Sequence, residues 1–152
     1  MKMRNHKFLT RVTVFLLLVS MVLPVFGSAA VVDPARPYAS YYLNAYSGYI
    51  ADLGGGTVAA CFSARGTTTM DELGAMRIVL EESTDGSNWY TVRSYHYSSY
   101  SSLMGYNKVL HSGSVTYNGV SGRYYRAYIT IWGGKDGGGD TRYLWTGAKR
   151  AS

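Results

Sequence analysis

YYRAYITIW, residues 124–132, sets Tyr125, Ala127, Ile129 and Ile131 at alternate positions, with Tyr124, Arg126, Tyr128, Thr130 and Trp132 between them. Successive side chains of a β-strand point to opposite faces, so this alternation gives one apolar face and one mixed face. Aromatic and β-branched residues, which suit a pleated and half-buried surface, dominate the run. The stretch reads as a central strand whose Tyr125, Ala127, Ile129 and Ile131 side is core. Its other side carries three rings that this core does not use, and their purpose is the functional question.

The next segment extends the argument. GGKDGGGD, residues 133–140, is rich in glycine, which takes positive φ without steric cost and so suits a turn. A second strand over 141–146 follows it. Symmetrical closure of that hairpin sets Trp132 opposite Thr141, Thr130 opposite Tyr143 and Tyr128 opposite Trp145, with Ile129 meeting Leu144 on the core side. Tyr124, Tyr128, Trp132, Tyr143 and Trp145 then share one face. Either they form a binding platform, or the N-terminal aromatic strand or the 97–113 segment covers them as a second small core. Asp136 and Asp140 also invite a calcium reading, but one copy lacks the repeating register that builds stacked calcium sites.

Further strands are expected over 41–51, 58–65, 76–82, 90–95 and 114–117, where short alternating runs lie between Gly, Ser, Asn and Asp clusters. Asp85-Gly86 is a hairpin signal between two of them. Met76, Ile78 and Leu80 are expected to point inward. Thr69 with Glu72 three positions on is the pattern of a helix start, so 69–74 is expected to make one helical turn. Tyr97 to Gly113 reads as either a long Tyr/Ser binding loop or an irregular edge strand using Val109 and Leu110 as core contacts. Seven short strands predict an all-β, single-domain, antiparallel two-sheet β-sandwich of immunoglobulin-like kind, with Ala60 and Ala127 standing where such domains place their cysteines.

The N-terminus reads as a secretory signal peptide over residues 1–30. It has a basic start (Lys2, Arg4, Lys7, Arg11), an apolar run from Val12 to Phe26, and small residues suited to cleavage after Ala29 or Ala30. At about 15 residues the run is short of the roughly 18–20 that span a bilayer. Residues 31–37 form a proline-containing linker and 38–152 the β domain. The expected location is secreted and extracellular, with membrane contact only through the signal peptide before cleavage.

The net charge of +6 is largely that leader: without its four basic residues, 11 Lys+Arg face 9 Asp+Glu. So near a balance gives no reason to expect a nucleic-acid partner. Cys61, the single cysteine, excludes an internal disulfide, so core packing or a partner chain must hold the fold. Cys61 reads as a small residue on the face opposite Val58, Ala60, Phe62 and Ala64, with an intermolecular thiol role as the alternative.

Catalytic patterns are weak. After the leader only His96 and His111 remain, short of the three protein ligands a catalytic zinc needs. Glu81 and Glu82 are adjacent on a strand and point to opposite faces. No catalytic residue, metal or cofactor is assigned. GTTTMDELGAMRIVLEESTDGSNW, with LMGYNKVLHSGSVTYNGVSGRYYRAYITIWGGKDGGGDTRYLWT, resembles an uncharacterised family of small secreted proteins from Gram-positive anaerobic bacteria. That resemblance implies export and one small domain, and supplies no site residues. The expected function is a secreted non-enzymatic binding module, taking carbohydrate, cell-wall polysaccharide or an extracellular protein on the aromatic face. A small toxin or bacteriocin-like protein is the alternative.

Overall fold

The computed structural model describes residues 40–152, so the signal peptide, the linker and the first residues of the β domain lie outside the described part. The strands are β1 Leu43–Gly54, β2 Thr57–Ser83, β3 Tyr90–His96, β4 Met104–Asn118, β5 Tyr124–Lys135, β6 Gly138–Trp145 and β7 Lys149–Arg150. All pair antiparallel within one seven-stranded sheet, and no α-helix occurs among the described residues.

β2 is the organising strand, and it corrects two expectations. The runs at 58–65 and 76–82 are the two ends of one 27-residue strand. The 69–74 stretch between them is extended, with Met70 paired to Lys108 and Glu72 to both Tyr106 and Gly134. An isolated helical turn fixes several dihedrals for one hydrogen bond, whereas here the same residues have a neighbour strand to bond. The 97–113 segment takes the edge-strand alternative: it passes through a 3₁₀ turn over Ser101–Leu103 into the first ten residues of β4, which pairs with β2 alone. Leu103 and Met104 are its buried hydrophobic residues and Tyr97 and Tyr100 pack against the core, while Val109 and Leu110 are exposed.

Two register breaks, between Arg65 and Met70 against β4 and between Ala75 and Arg77 against β5, change the inward phase of β2. Val58, Ala60, Phe62 and Ala64 are buried before them, Leu73 and Ala75 between, and Ile78 and Leu80 after. Met76, expected inward, falls beside the second break and is only half-buried. Such irregularities bend and twist a strand, so β2 can serve two groups of neighbours. Its first part lies between β1 and β4. Its last part lies between β3 and β5, and β6 adds to the far edge of β5.

The sheet is curled, and its inner face meets itself. A Cβ built on Gly48 of β1 would lie 2.8 Å from Ile129 Cδ1 and 2.9 Å from Leu144 Cδ1, across the interior from strands to which β1 is not hydrogen-bonded. Into this interior go Tyr125, Ala127, Ile129 and Ile131, all fully buried, as the alternation of the opening strand predicts. Each large apolar side chain so buried stabilises the fold by about 1.5–3 kcal/mol. Ala60 and Ala127 are both core residues. The Tyr125 hydroxyl accepts the Val120 N–H at 2.8 Å and donates to Glu82 Oε2 at 2.5 Å.

Candidate binding face

The β5–β6 hairpin closes in the expected register: Tyr128 faces Trp145, Thr130 faces Tyr143, Trp132 faces Thr141, and Ile129 faces Leu144. Its two-residue turn, Asp136-Gly137, has φ of 52° and 78°. Two positive φ values match the strand twist in a two-residue hairpin loop, which is why glycine is needed here. With the register set, period-two alternation sends all five sequence-predicted rings to the outer face of the sheet.

Those five do not form one patch. Tyr128, Tyr143 and Trp145 do come together: the Tyr128 and Tyr143 rings lie parallel within 4° at 6.0 Å between centroids, and Trp145 lies 4.9 Å from Tyr128, tilted by 45°. Six ångströms exceeds van der Waals contact between stacked carbons, about 3.5–4.0 Å, so the two tyrosines are offset rather than face to face. Tyr143 is 59 % exposed and Trp145 50 %. Tyr124 stands apart, half-buried, with the Arg150 guanidinium 5.9 Å from its ring. Trp132 turns toward the hairpin tip. Its indole lies against Gly139, where an added Cβ would overlap it, and its Nε1 donates to Glu72 Oε2 at 3.0 Å. None of the five belongs to the hydrophobic core, and the covering segments considered above do not make them a second core among the described residues.

One contributor escapes sequence reasoning. Trp89, in the loop between β2 and β3, and Trp145 sandwich the Arg126 guanidinium, which lies 4.3 Å from one ring and 4.4 Å from the other. Arg126 also makes a bidentate contact with Glu81 Oε2, from Nε at 2.9 Å and Nη2 at 2.8 Å. The ion pair fixes the guanidinium, and cation–π attraction holds Trp145 against it, beside Tyr128. Trp89 is itself fixed through its loop. Asp85 accepts the Ser87 and Asn88 backbone N–H groups and the Asn88 and Ser83 side chains, and these bonds hold its carboxyl far below the usual carboxylate range. The signal for Trp89 was present, since it stands three positions after Gly86 at the end of the turn, but its spatial neighbour Arg126 is 37 positions away.

The remaining candidate groups are scattered. His96, on β3, has its Nδ1 2.8 Å from Ser98 Oγ, and His111, on β4, has its Nε2 3.0 Å from the Ser102 carbonyl. They pair with β2 at Arg77 and Ala64, on either side of its two register breaks. Asp140 is paired with Arg142 at 2.8 Å, and among the described residues no three His, Cys, Asp or Glu side chains gather as a metal-binding group. Cys61, half-buried, pairs in register with Tyr49 and Ser114. Glu82 is the buried polar centre of the interior side. Burial alone would raise its carboxyl, but hydrogen bonds from Tyr125, Tyr90 and Arg123 outweigh that and hold it below its ordinary value.

The outer face therefore offers two exposed rings on a fixed support, with charged groups at its margin. No family model, curated protein or solved structure matches this chain.

Proposed function

We propose that the chain is a secreted, non-enzymatic binding module that takes carbohydrate, cell-wall polysaccharide foremost, on the ring cluster of Tyr128, Tyr143 and Trp145. The observation that carries this reading is that Tyr143 and Trp145 stay half or more exposed although the same sheet buries Ile129 and Ile131 completely on its other side. Rings left in water forfeit burial unless a partner covers them. Their apolar faces, flanked by the Arg126–Glu81 pair, suit the mix of C–H faces and hydroxyl edges that a sugar presents. Export rests on the basic and apolar N-terminal segment. We also read the curled sheet as the two leaves of an immunoglobulin-like sandwich. Tyr125, two residues before Ala127 and bonded back to the Val120 N–H, supports that reading in the manner of a tyrosine corner. The continuous β2 departs from the pattern.

The test is retention of the purified chain on insoluble peptidoglycan and on neutral polysaccharides. Trp145→Ala is expected to weaken retention by about tenfold to a hundredfold, the equivalent of one large ring's burial, with a cooperative melt preserved. Loss of cooperative melting in both Trp145→Ala and Tyr143→Ala would make the rings structural and defeat the proposal. Killing of neighbouring bacteria without polysaccharide retention would favour the toxin reading instead.

A further inference from the structure

Beyond the ring cluster, at the tip of the β5–β6 hairpin, lies a cleft of about 460 Å³ lined by Asp71, Glu72, Tyr106, Trp132, Lys135 and Gly137, among others. Its groups are held in position before any ligand arrives. The Trp132 indole rests on the paired glycines 134 and 139; a Cβ on Gly134 would lie 2.8 Å from Nε1, and one on Gly139 would overlap the six-membered ring. Glu72 accepts the indole N–H with Oε2, and Asp71 accepts the Asp136 backbone N–H at 2.8 Å with Oδ2. Each carboxylate is thus oriented through one oxygen, which leaves its second oxygen as a fixed acceptor. Lys135 adds a donor. An aromatic surface beside fixed acceptors and one donor is chemistry for a ligand rich in hydroxyl groups.

The cleft is also collinear with the ring cluster. Trp132 follows Tyr128 by four residues on β5, about 13 Å at the rise of a strand, and Tyr143, opposite Thr130, stands halfway between them. Three aromatic stations in line are longer than one sugar ring. Two carboxylates against one lysine disfavour an anionic chain.

We infer that the ligand is a neutral, linear polysaccharide that lies lengthwise along the β5–β6 hairpin, from Trp145 and Tyr128 past Tyr143 into the Trp132 cleft. This rests on the carbohydrate reading above and adds the ligand's shape, charge and direction. The test is calorimetric titration of the full chain with neutral gluco-oligosaccharides and N-acetylglucosamine oligomers, from disaccharide to hexasaccharide, and with polygalacturonate. Affinity is expected to rise about tenfold or more along one neutral series. Trp132→Ala is expected to abolish that rise, so that the hexasaccharide binds no tighter than the disaccharide. Glu72→Gln with Asp71→Asn, which keep the local acceptors while removing the charged oxygens, are expected to lower hexasaccharide affinity with unaltered melting. A hexasaccharide affinity unmoved by Trp132→Ala and by the amide variants, but lost in Trp145→Ala, would overturn the extended site and leave the ring cluster standing. Tighter binding of polygalacturonate would overturn the neutral class. Absence of binding to every neutral oligomer and polysaccharide would remove both this inference and the reading beneath it.

Discussion

Glu82 and Tyr125 show how single residues set the chemistry of the interior. Tyr125 is fully buried, and burial followed by its bond to Glu82 pushes the phenol up to about 12. Glu82 is shifted the other way, below its ordinary value, by the hydroxyls of Tyr125 and Tyr90 and the Arg123 guanidinium. A carboxyl lowered on folding contributes stability above its unfolded value, about 4.3, and that contribution disappears as pH falls through the folded value. Glu82→Gln is therefore expected to cost on the order of 2–3 kcal/mol at neutral pH and to flatten the acid limb below pH about 4, measured as urea midpoints across pH. A phenol raised on folding acts in the opposite sense. Its contribution is complete below about pH 10 and is lost as pH rises toward 12, so alkaline unfolding should steepen in that window. Tyr125→Phe should remove that steepening. Glu82 was legible as a strand residue; its burial was not, because its partners Tyr125 and Arg123 lie more than forty positions away.

At the scale of elements, β2 decides the architecture. Gly74 is the point where the strand, the 3₁₀ turn and two neighbours converge. It pairs with Met104 on one side and Trp132 on the other, and a Cβ there would overlap the Leu103 carbonyl oxygen. Since the blocking atom is backbone, Gly74→Ala is expected to destabilise by about 1–3 kcal/mol, the usual cost of overpacking, read as a lowered melting temperature; an unchanged temperature would mean the 3₁₀ turn moves freely. Two separate strands and a helical turn were the natural reading of 57–83 because its apolar phase breaks twice. A phase break in one dimension looks like a chain break. In three dimensions the breaks are irregularities that let the strand bend while its ladder continues. The register of the β5–β6 hairpin, by contrast, was legible from its period-two pattern, but its turn was not: the glycine-rich stretch 133–140 read as the connection, whereas only Asp136-Gly137 turns and the flanking residues continue both strands.

At the scale of the whole described domain, one hydrogen-bonded sheet encloses one core, among the described residues, that draws on β1 through β5. Unfolding is therefore expected to be a single transition, with tryptophan fluorescence, which reports Trp89, Trp132 and Trp145 on the outer face, coincident with far-ultraviolet circular dichroism. Two separated midpoints would show that the ends of β2 open independently. The sequence by itself determined the all-β class, the core face of 124–132, the hairpin register and the set of rings on its far side, because strand periodicity and turn chemistry are local properties. Only the tertiary structure decided that two predicted strands are one, that the five rings divide into a cluster and two outliers, and that Trp89 and Arg126 brace the cluster while Glu72 and Asp71 furnish the cleft. Those arrangements depend on which distant residues the curl of the sheet brings within contact, and no local period encodes that.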